Sequence, residues 1–139
     1  MNLGPGNMET SSVRILVVED FEPFRILIRA ILEKNPRLHI VAEVSDGLDA
    51  VQKAADLKPD LILLDIGLPT LNGLDAARLI RKLAPDSRIL FISQAPPPEV
   101  AQDALALGAF GHVVKTRLAT DLLTAIEAVL NGQTFVSGK

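Results

Sequence analysis

Residues 61–69, which read LILLDIGLP, constrain this chain more than any other stretch. Four aliphatic residues precede one acidic residue, Asp65, and a glycine and a proline follow soon after. A continuous apolar run that ends at a turn is typical of a strand buried on both faces of a parallel sheet. Open sheets of this kind bind their ligands at the carboxyl ends of the strands. We therefore expect Asp65 to lie in a functional crevice.

The remaining sequence alternates between strand and helix patterns. Strands are predicted over 13–18, 38–44, 61–65, 88–93 and 110–114. Helices are predicted from Pro23 to the Asn35-Pro36 stop, from Leu48 to Leu57, from Leu74 to Leu83, from Glu99 to Leu107, and from Leu118 to the Asn131-Gly132 stop. This alternation predicts an α/β fold with a doubly wound parallel sheet.

The composition narrows the classes of function. A chain of 139 residues with 48% hydrophobic residues suits one domain, and the absence of cysteine excludes disulfides and thiolate metal sites. A net charge of −3 gives no electrostatic reason to bind nucleic acid or an anionic membrane. We expect a cytoplasmic protein with a flexible arm over 1–12, one domain over 13–132, and a tail or the start of a linker over 133–139.

Four of the five predicted strands end in residues suited to phosphate or metal chemistry. These are Glu19 and Asp20 after the first strand, Asp65 after the third, Ser93 after the fourth and Lys115 after the fifth. Parallel strands all end on one side of a sheet, so these side chains are expected to converge in one crevice.

Three clustered carboxylates repel one another unless a cation neutralises them. Because the candidate ligands are carboxylates, without His or Cys, they favour Mg²⁺ over Zn²⁺. Lys115 adds a fixed positive charge, and Ser93 adds a hydroxyl donor. A carboxylate nucleophile with these neighbours is what phosphoryl transfer to Asp65 requires.

The same residues carry a family resemblance. An acidic pair, an Asp, a Ser and a Lys end strands one, three, four and five, as in the CheY-like receiver domains of two-component response regulators. The match covers about Val13 to Gly132. The stretches ILVVED, LLDIGLPTLNGLDAARLIR, GAFGHVVK and LLTAIEAVLNGQTFVS are most similar to the NarL/FixJ (LuxR-type) subfamily.

The resemblance implies a flavodoxin-like (βα)5 domain with sheet order 2-1-3-4-5, phosphorylated at Asp65 by a sensor histidine kinase. It further implies that Asp20, Asp65 and the backbone carbonyl of Gly67 ligate Mg²⁺, with Glu19 acting through water. Lys115 and Ser93 would bind the phosphoryl oxygens. The chain would thus be a signalling domain rather than an enzyme.

Ser93 and His112 occupy the two switch positions of the resembled family. His112 stands where the family has Tyr or Phe, and it could also be a packing residue, half-buried or at the surface. The family often has Pro at the position of Thr116, and Pro96–Pro98 replace a loop that is usually mobile. Phosphorylation would change the surface of the fourth helix, fifth strand and fifth helix. The implied output is transcription regulation through a DNA-binding domain outside this chain, with homodimerisation plausible.

Three other functions fit parts of the sequence. A receiver that cannot be phosphorylated and serves only for docking is suggested by His112 and the prolines. A phosphohydrolase of the haloacid-dehalogenase type also uses an Asp nucleophile, but it needs a second acid where this chain has Gly67. A flavodoxin-like cofactor binder would need a phosphate-cradling loop after the first strand, which the sequence lacks.

Overall fold

The computed structural model describes residues 11–94, 108 and 110–137. Within these ranges lie six strands, four α-helices and one 3-10 helix. The strands are β1 (Val13–Val18), β2 (Leu38–Val44), β3 (Leu61–Asp65), β4 (Arg88–Ser93), β5 (Gly111–Val114) and β6 (Phe135–Val136). The helices are α1 (Glu22–Leu32), α2 (Gly47–Leu57), α3 (Gly73–Leu83) and α4 (Leu118–Leu130), and the 3-10 helix is Lys115–Arg117.

Some predictions lie outside the described residues. These are most of the arm over 1–12, the prolines Pro96–Pro98, and the predicted fourth helix from Glu99 to Leu107. Helix α4 is therefore the helix that the sequence predicts as the fifth.

The sheet is parallel throughout, with the order β2-β1-β3-β4-β5-β6. The predicted order 2-1-3-4-5 and the flavodoxin-like fold are thus confirmed. Asp65 pairs with Ile92 across β3 and β4, so Ser93 lies one residue farther along the same end of the sheet.

The sixth strand is not predicted from the sequence, because two residues are too few to show a strand period. Phe135 donates its backbone N–H to Phe110 O at 3.0 Å, and Ser137 donates to His112 O at 3.0 Å. A Cβ at Gly111 would lie 2.3 Å from Phe135 O, so only glycine permits this close approach. The segment after α4 therefore covers the β5 edge.

The hydrophobic core forms two layers, one on each face of the sheet. One lies between the sheet and helices α1 and α4, and the other between the sheet and helices α2 and α3. Strand β3 contributes to both layers, since Leu61 to Leu64 are each 0% exposed. Each such side chain stabilises the fold by roughly 1.5–3 kcal/mol relative to exposure. Among the described helices, none is both long and apolar enough to cross a membrane.

Candidate functional site

Three carboxylates meet at the carboxyl ends of β1 and β3. Glu19, Asp20 and Asp65 each place one oxygen so that the three atoms lie within 4.8 Å of one another. Glu19 is 0% exposed and Asp65 is 3% exposed, whereas Asp20 is exposed to solvent. The predicted convergence of these side chains is confirmed.

Lys115 completes the cluster from the end of β5. Its Nζ donates to Glu19 Oε2 at 3.0 Å and to Asp65 Oδ2 at 3.2 Å, and it lies 2.8 Å from Glu19 Oε1. The ring centroid of Phe24 is 4.7 Å from the same ammonium group. Parallel topology has thus joined Lys115 to partners 96 and 50 positions away in the chain.

For both Glu19 and Lys115, burial and the neighbouring opposite charge shift the pKa in opposite directions. Burial raises the pKa of Glu19 to about 7, although the hydrogen bond from Lys115 partly opposes this. Burial lowers the pKa of Lys115, but the hydrogen bonds and charges of Glu19 and Asp65 outweigh it and raise that pKa overall. Lys115 therefore stays protonated at neutral pH, and Glu19 resists ionisation.

The cluster has the donor set of a hard divalent cation. Among the described residues, the three clustered carboxylates share one ammonium group, which contacts Glu19 and Asp65, so negative charge is in excess when all three are ionised. Glu19 Oε1 is buried and accepts no well-aligned hydrogen bond from any residue in the described ranges. Oxygen donors without thiolate or imidazole suit Mg²⁺, so the residues present fit that ion.

The loop after β3 fixes the Asp65 side chain. Gly67 donates its backbone N–H to Asp65 Oδ1 at 3.1 Å, so within the described part of the chain each carboxylate oxygen has one donor. Helix α3 begins close behind, where a Cβ at Gly73 would lie 2.3 Å from the Asp65 backbone oxygen. Asn72 caps this helix by accepting the Asp75 N–H at 3.0 Å.

Ser93 and His112 share a hydrogen bond of 2.6 Å between Oγ and Nε2. Ser93 is 7% exposed and His112 is 2% exposed. The expectation that His112 is half-buried or at the surface was wrong, because β5 lies between β4 and β6. Burial also lowers the pKa of His112.

Sequence reasoning missed the aromatic side of the site. Phe24 lies against Lys115, and Phe21 donates its backbone N–H to Glu19 Oε2 at 3.0 Å. The available signal was Pro23 at the start of α1, because a helix that begins two residues after Asp20 carries Phe24 in its first turn, close to the acidic pair.

Comparison with known proteins agrees with this geometry. The family model described as "Response regulator receiver domain" matches residues 15–127. A protein-glutamate methylesterase/protein-glutamine glutaminase of Thermotoga maritima is 35% identical over 130 residues, which cover 86% of this chain and 38% of that protein. The transcriptional regulatory protein DegU of Brevibacillus brevis is 30% identical over 93% of this chain and 55% of its own length.

A solved structure agrees as well. The crystal structure of a LuxR-family two-component response regulator from Aurantimonas sp. SI85-9A1 superposes with a TM-score of 0.84 at 33% identity, covering 89% of each chain. This chain spans between 30% and 60% of the length of the curated relatives cited for comparison. The family match, the fold and the convergent crevice together show that the chain belongs to the response regulator receiver domains, with relatives of the NarL/LuxR type.

Proposed function

We propose that this chain is a phosphoacceptor domain in which Asp65 receives a phosphoryl group from the phosphohistidine of a sensor histidine kinase. The observation that carries the proposal is the Lys115 ammonium group, held 3.2 Å from Asp65 Oδ2 within a buried acidic cluster. A carboxylate is a weak nucleophile toward a phosphoryl group, because both are negatively charged and repel one another. The cations around Asp65 therefore have to reduce this repulsion.

The transfer forms one bond and breaks one bond. An Asp65 oxygen attacks the phosphorus, and the P–N bond to the kinase histidine breaks with its electron pair leaving on the imidazole. Lys115 neutralises charge on the transferred oxygens, while the Gly67 N–H and Lys115 orient the carboxylate. Asp20, Asp65 and the Gly67 carbonyl would hold Mg²⁺, with Glu19 through water, and that ion supplies further neutralisation of phosphoryl charge.

The proposed consequence is a change in the surface formed by β5, α4 and the predicted helix over 99–107. Ser93 would donate its hydroxyl to a phosphoryl oxygen and so leave its resting position. Relatives such as DegU are named transcriptional regulatory proteins, which supports a transcriptional output through further domains. We also propose the domain limits 13–132, a cytoplasmic location and homodimerisation as one route of output.

Acetyl phosphate with Mg²⁺, followed by intact-mass measurement, tests the proposal. The wild-type chain is expected to gain one phosphoryl group, and Asp65→Asn is expected to gain none. Asp56→Asn is the matched control, because Asp56 is an exposed residue of α2 away from the crevice, and it should be phosphorylated like the wild type. Equal phosphorylation of Asp65→Asn and the wild type would overturn the assignment.

A phosphatase assay on the same protein distinguishes a signalling domain from an enzyme. We expect no steady turnover of a phosphomonoester such as p-nitrophenyl phosphate, because Gly67 provides no second acid for a leaving group. Sustained turnover that is lost in Asp65→Asn would instead indicate a phosphohydrolase.

A further inference from the structure

Ser137 forms hydrogen bonds at the end of β5, the strand that leads into Lys115. Pairing between β5 and β6 extends only to His112 and Val136. Two residues farther along β5, the backbone N–H of Val114 donates to Ser137 Oγ at 3.1 Å. A side chain from the segment after α4 thus takes the place of a strand partner directly before Lys115.

The same hydroxyl also contacts Asp121 on α4. Ser137 Oγ donates to Asp121 Oδ2 at 2.9 Å, and Arg117 Nε donates to the same oxygen at 2.8 Å. Arg117 is the last residue of the 3-10 helix that Lys115 begins. The side chains of Ser137 and Asp121 therefore hold this turn at both ends, through the strand residue before it and through its last residue.

The donor and acceptor roles in these bonds are fixed by the groups involved. A backbone N–H can only donate, and an ionised carboxylate can only accept. Hydrogen bonds from Arg117 and Ser137 lower the pKa of Asp121 although burial opposes them, so this carboxylate is ionised at neutral pH. The Ser137 hydroxyl therefore accepts from Val114 and donates to Asp121 at the same time. Serine and threonine can do both, whereas alanine can do neither.

The backbone that carries this hydroxyl is anchored independently of it. Gln133 donates its N–H to Ala128 O at 2.8 Å where the chain leaves α4, and Ser137 donates its own N–H to His112 O at 3.0 Å. Phe135 packs against the apolar layer between the sheet and helices α1 and α4. Removing the hydroxyl alone should therefore leave the pairing of β6 with β5 in place.

We propose that Ser137 is a positioning residue for phosphoryl transfer, because it fixes the backbone directly before Lys115 and so keeps the ammonium group at Asp65. The inference rests on the proposed function of Asp65. Lys115 Nζ donates to Glu19 at 3.0 Å and to Asp65 at 3.2 Å, and the side chain that reaches them starts from the turn that Ser137 holds. A displacement of about 1 Å at a group that stabilises the transition state can lower a rate by up to about 100-fold.

Phosphorylation rates with acetyl phosphate and Mg²⁺ test this role. We expect Ser137→Ala to lower the rate roughly 3- to 10-fold and Ser137→Thr to restore most of it, because threonine keeps the hydroxyl. Ser87→Ala is the matched control, since it also removes a hydroxyl that bonds a backbone group, but at the amino end of the sheet. The control should keep the wild-type rate at a comparable loss of stability.

Two further readouts distinguish positioning from a general loss of structure. In a Lys115→Met background, Ser137→Ala should have no further effect on the rate, because no ammonium group remains to be positioned. The affinity for Mg²⁺, measured by NMR titration, should not fall in Ser137→Ala, because the clustered carboxylates lie at the ends of β1 and β3 rather than of β5. A loosened fold would weaken Mg²⁺ binding as well.

The outcomes separate this proposal from the proposed function. A wild-type rate in Ser137→Ala, an equal loss of rate in Ser87→Ala, or no recovery in Ser137→Thr would overturn the positioning role and leave the phosphoacceptor function standing. An undiminished Ser137→Ala effect in the Lys115→Met background, or weaker Mg²⁺ binding, would do the same. Absence of phosphorylation in the wild type would contradict both proposals.

Discussion

The two ends of the sheet use polar residues in opposite ways. At the amino end, Ser87 Oγ donates to Pro59 O at 2.6 Å, and Arg88 donates to the carbonyls of Val129 and Leu130 at 2.6 and 2.8 Å. At the carboxyl end, three carboxylate oxygens lie within 4.8 Å of one another, and the Lys115 ammonium group contacts two of these side chains, Glu19 and Asp65.

The polar residues at the amino end contribute to stability, whereas those at the carboxyl end serve the proposed function. Polar groups at the amino end satisfy backbone carbonyls that the helix and loop ends would leave without partners. Those at the carboxyl end bring carboxylates close together, and the repulsion between them when they are ionised costs stability unless a cation neutralises it. Substitutions at the amino end should therefore change the free energy of unfolding, and those at the carboxyl end should change phosphorylation.

The largest effect is expected for Lys115→Met. Methionine has a similar length but no charge, so the developing phosphoryl charge loses its fixed cation. We expect the acetyl phosphate reaction rate to fall on the order of 100-fold or more. The matched control is Lys58→Met at the amino end, where Nζ donates to Leu83 O at 3.0 Å. Similar losses of rate in the two variants would show that the two ends do not differ as described.

Ser87→Ala should have the opposite profile. Ser87 is 3% exposed, and removing its hydroxyl leaves the buried Pro59 carbonyl without that donor. We expect the free energy of unfolding to fall by about 1–3 kcal/mol in urea denaturation, with an unchanged phosphorylation rate. A change in rate without a change in stability would contradict the comparison.

Phe24→Leu should have a smaller effect at the carboxyl end. The ring centroid lies 4.7 Å from Lys115 Nζ, and a cation–π contact of this kind is worth about 0.5–2 kcal/mol. We expect the phosphorylation rate to fall roughly 3- to 5-fold, with Phe24→Tyr close to wild type because it keeps the aromatic face. In a Lys115→Met background, Phe24→Leu should have no further effect, and an undiminished effect there would exclude the contact as the cause.

The smallest effect is expected at Asp121, which lies near the carboxyl end but outside the acidic crevice. Hydrogen bonds from Arg117, and further ones from Ser137 and Thr120, lower its pKa in the folded protein although burial opposes them. Its contribution to stability is therefore full above its ordinary pKa of 3.8 and is lost as pH falls through the lower folded value.

Thermal unfolding of Asp121→Asn at neutral pH and at about pH 3 measures this contribution. The variant should be slightly less stable than the wild type at neutral pH, and the gap should narrow at the acidic pH. A gap that widens on acidification would mean that the pKa is shifted in the other direction.

The positions of the buried strands, and the residues that follow their carboxyl ends, could be predicted from the sequence. Apolar runs such as LILLD locate buried strands, and parallel topology then brings Asp65 and Lys115 together without further information. Contacts that depend on side-chain direction and on short segments could not be predicted. Neither the Ser93–His112 hydrogen bond nor the pairing of Phe135–Val136 with β5 leaves a periodic signal.

The central claim is that the carboxyl end carries an excess of negative charge that a divalent cation relieves at Asp65. Thermal unfolding in a metal chelator and in millimolar Mg²⁺ tests it most directly, with the wild type, Asp65→Asn and Lys58→Met compared. The account predicts that Mg²⁺ raises the Tm of the wild type and of Lys58→Met by about 3 °C or more, and that Asp65→Asn is more stable than the wild type in chelator and gains little from Mg²⁺. A Tm that does not respond to Mg²⁺, or an Asp65→Asn response equal to that of the wild type, would contradict it.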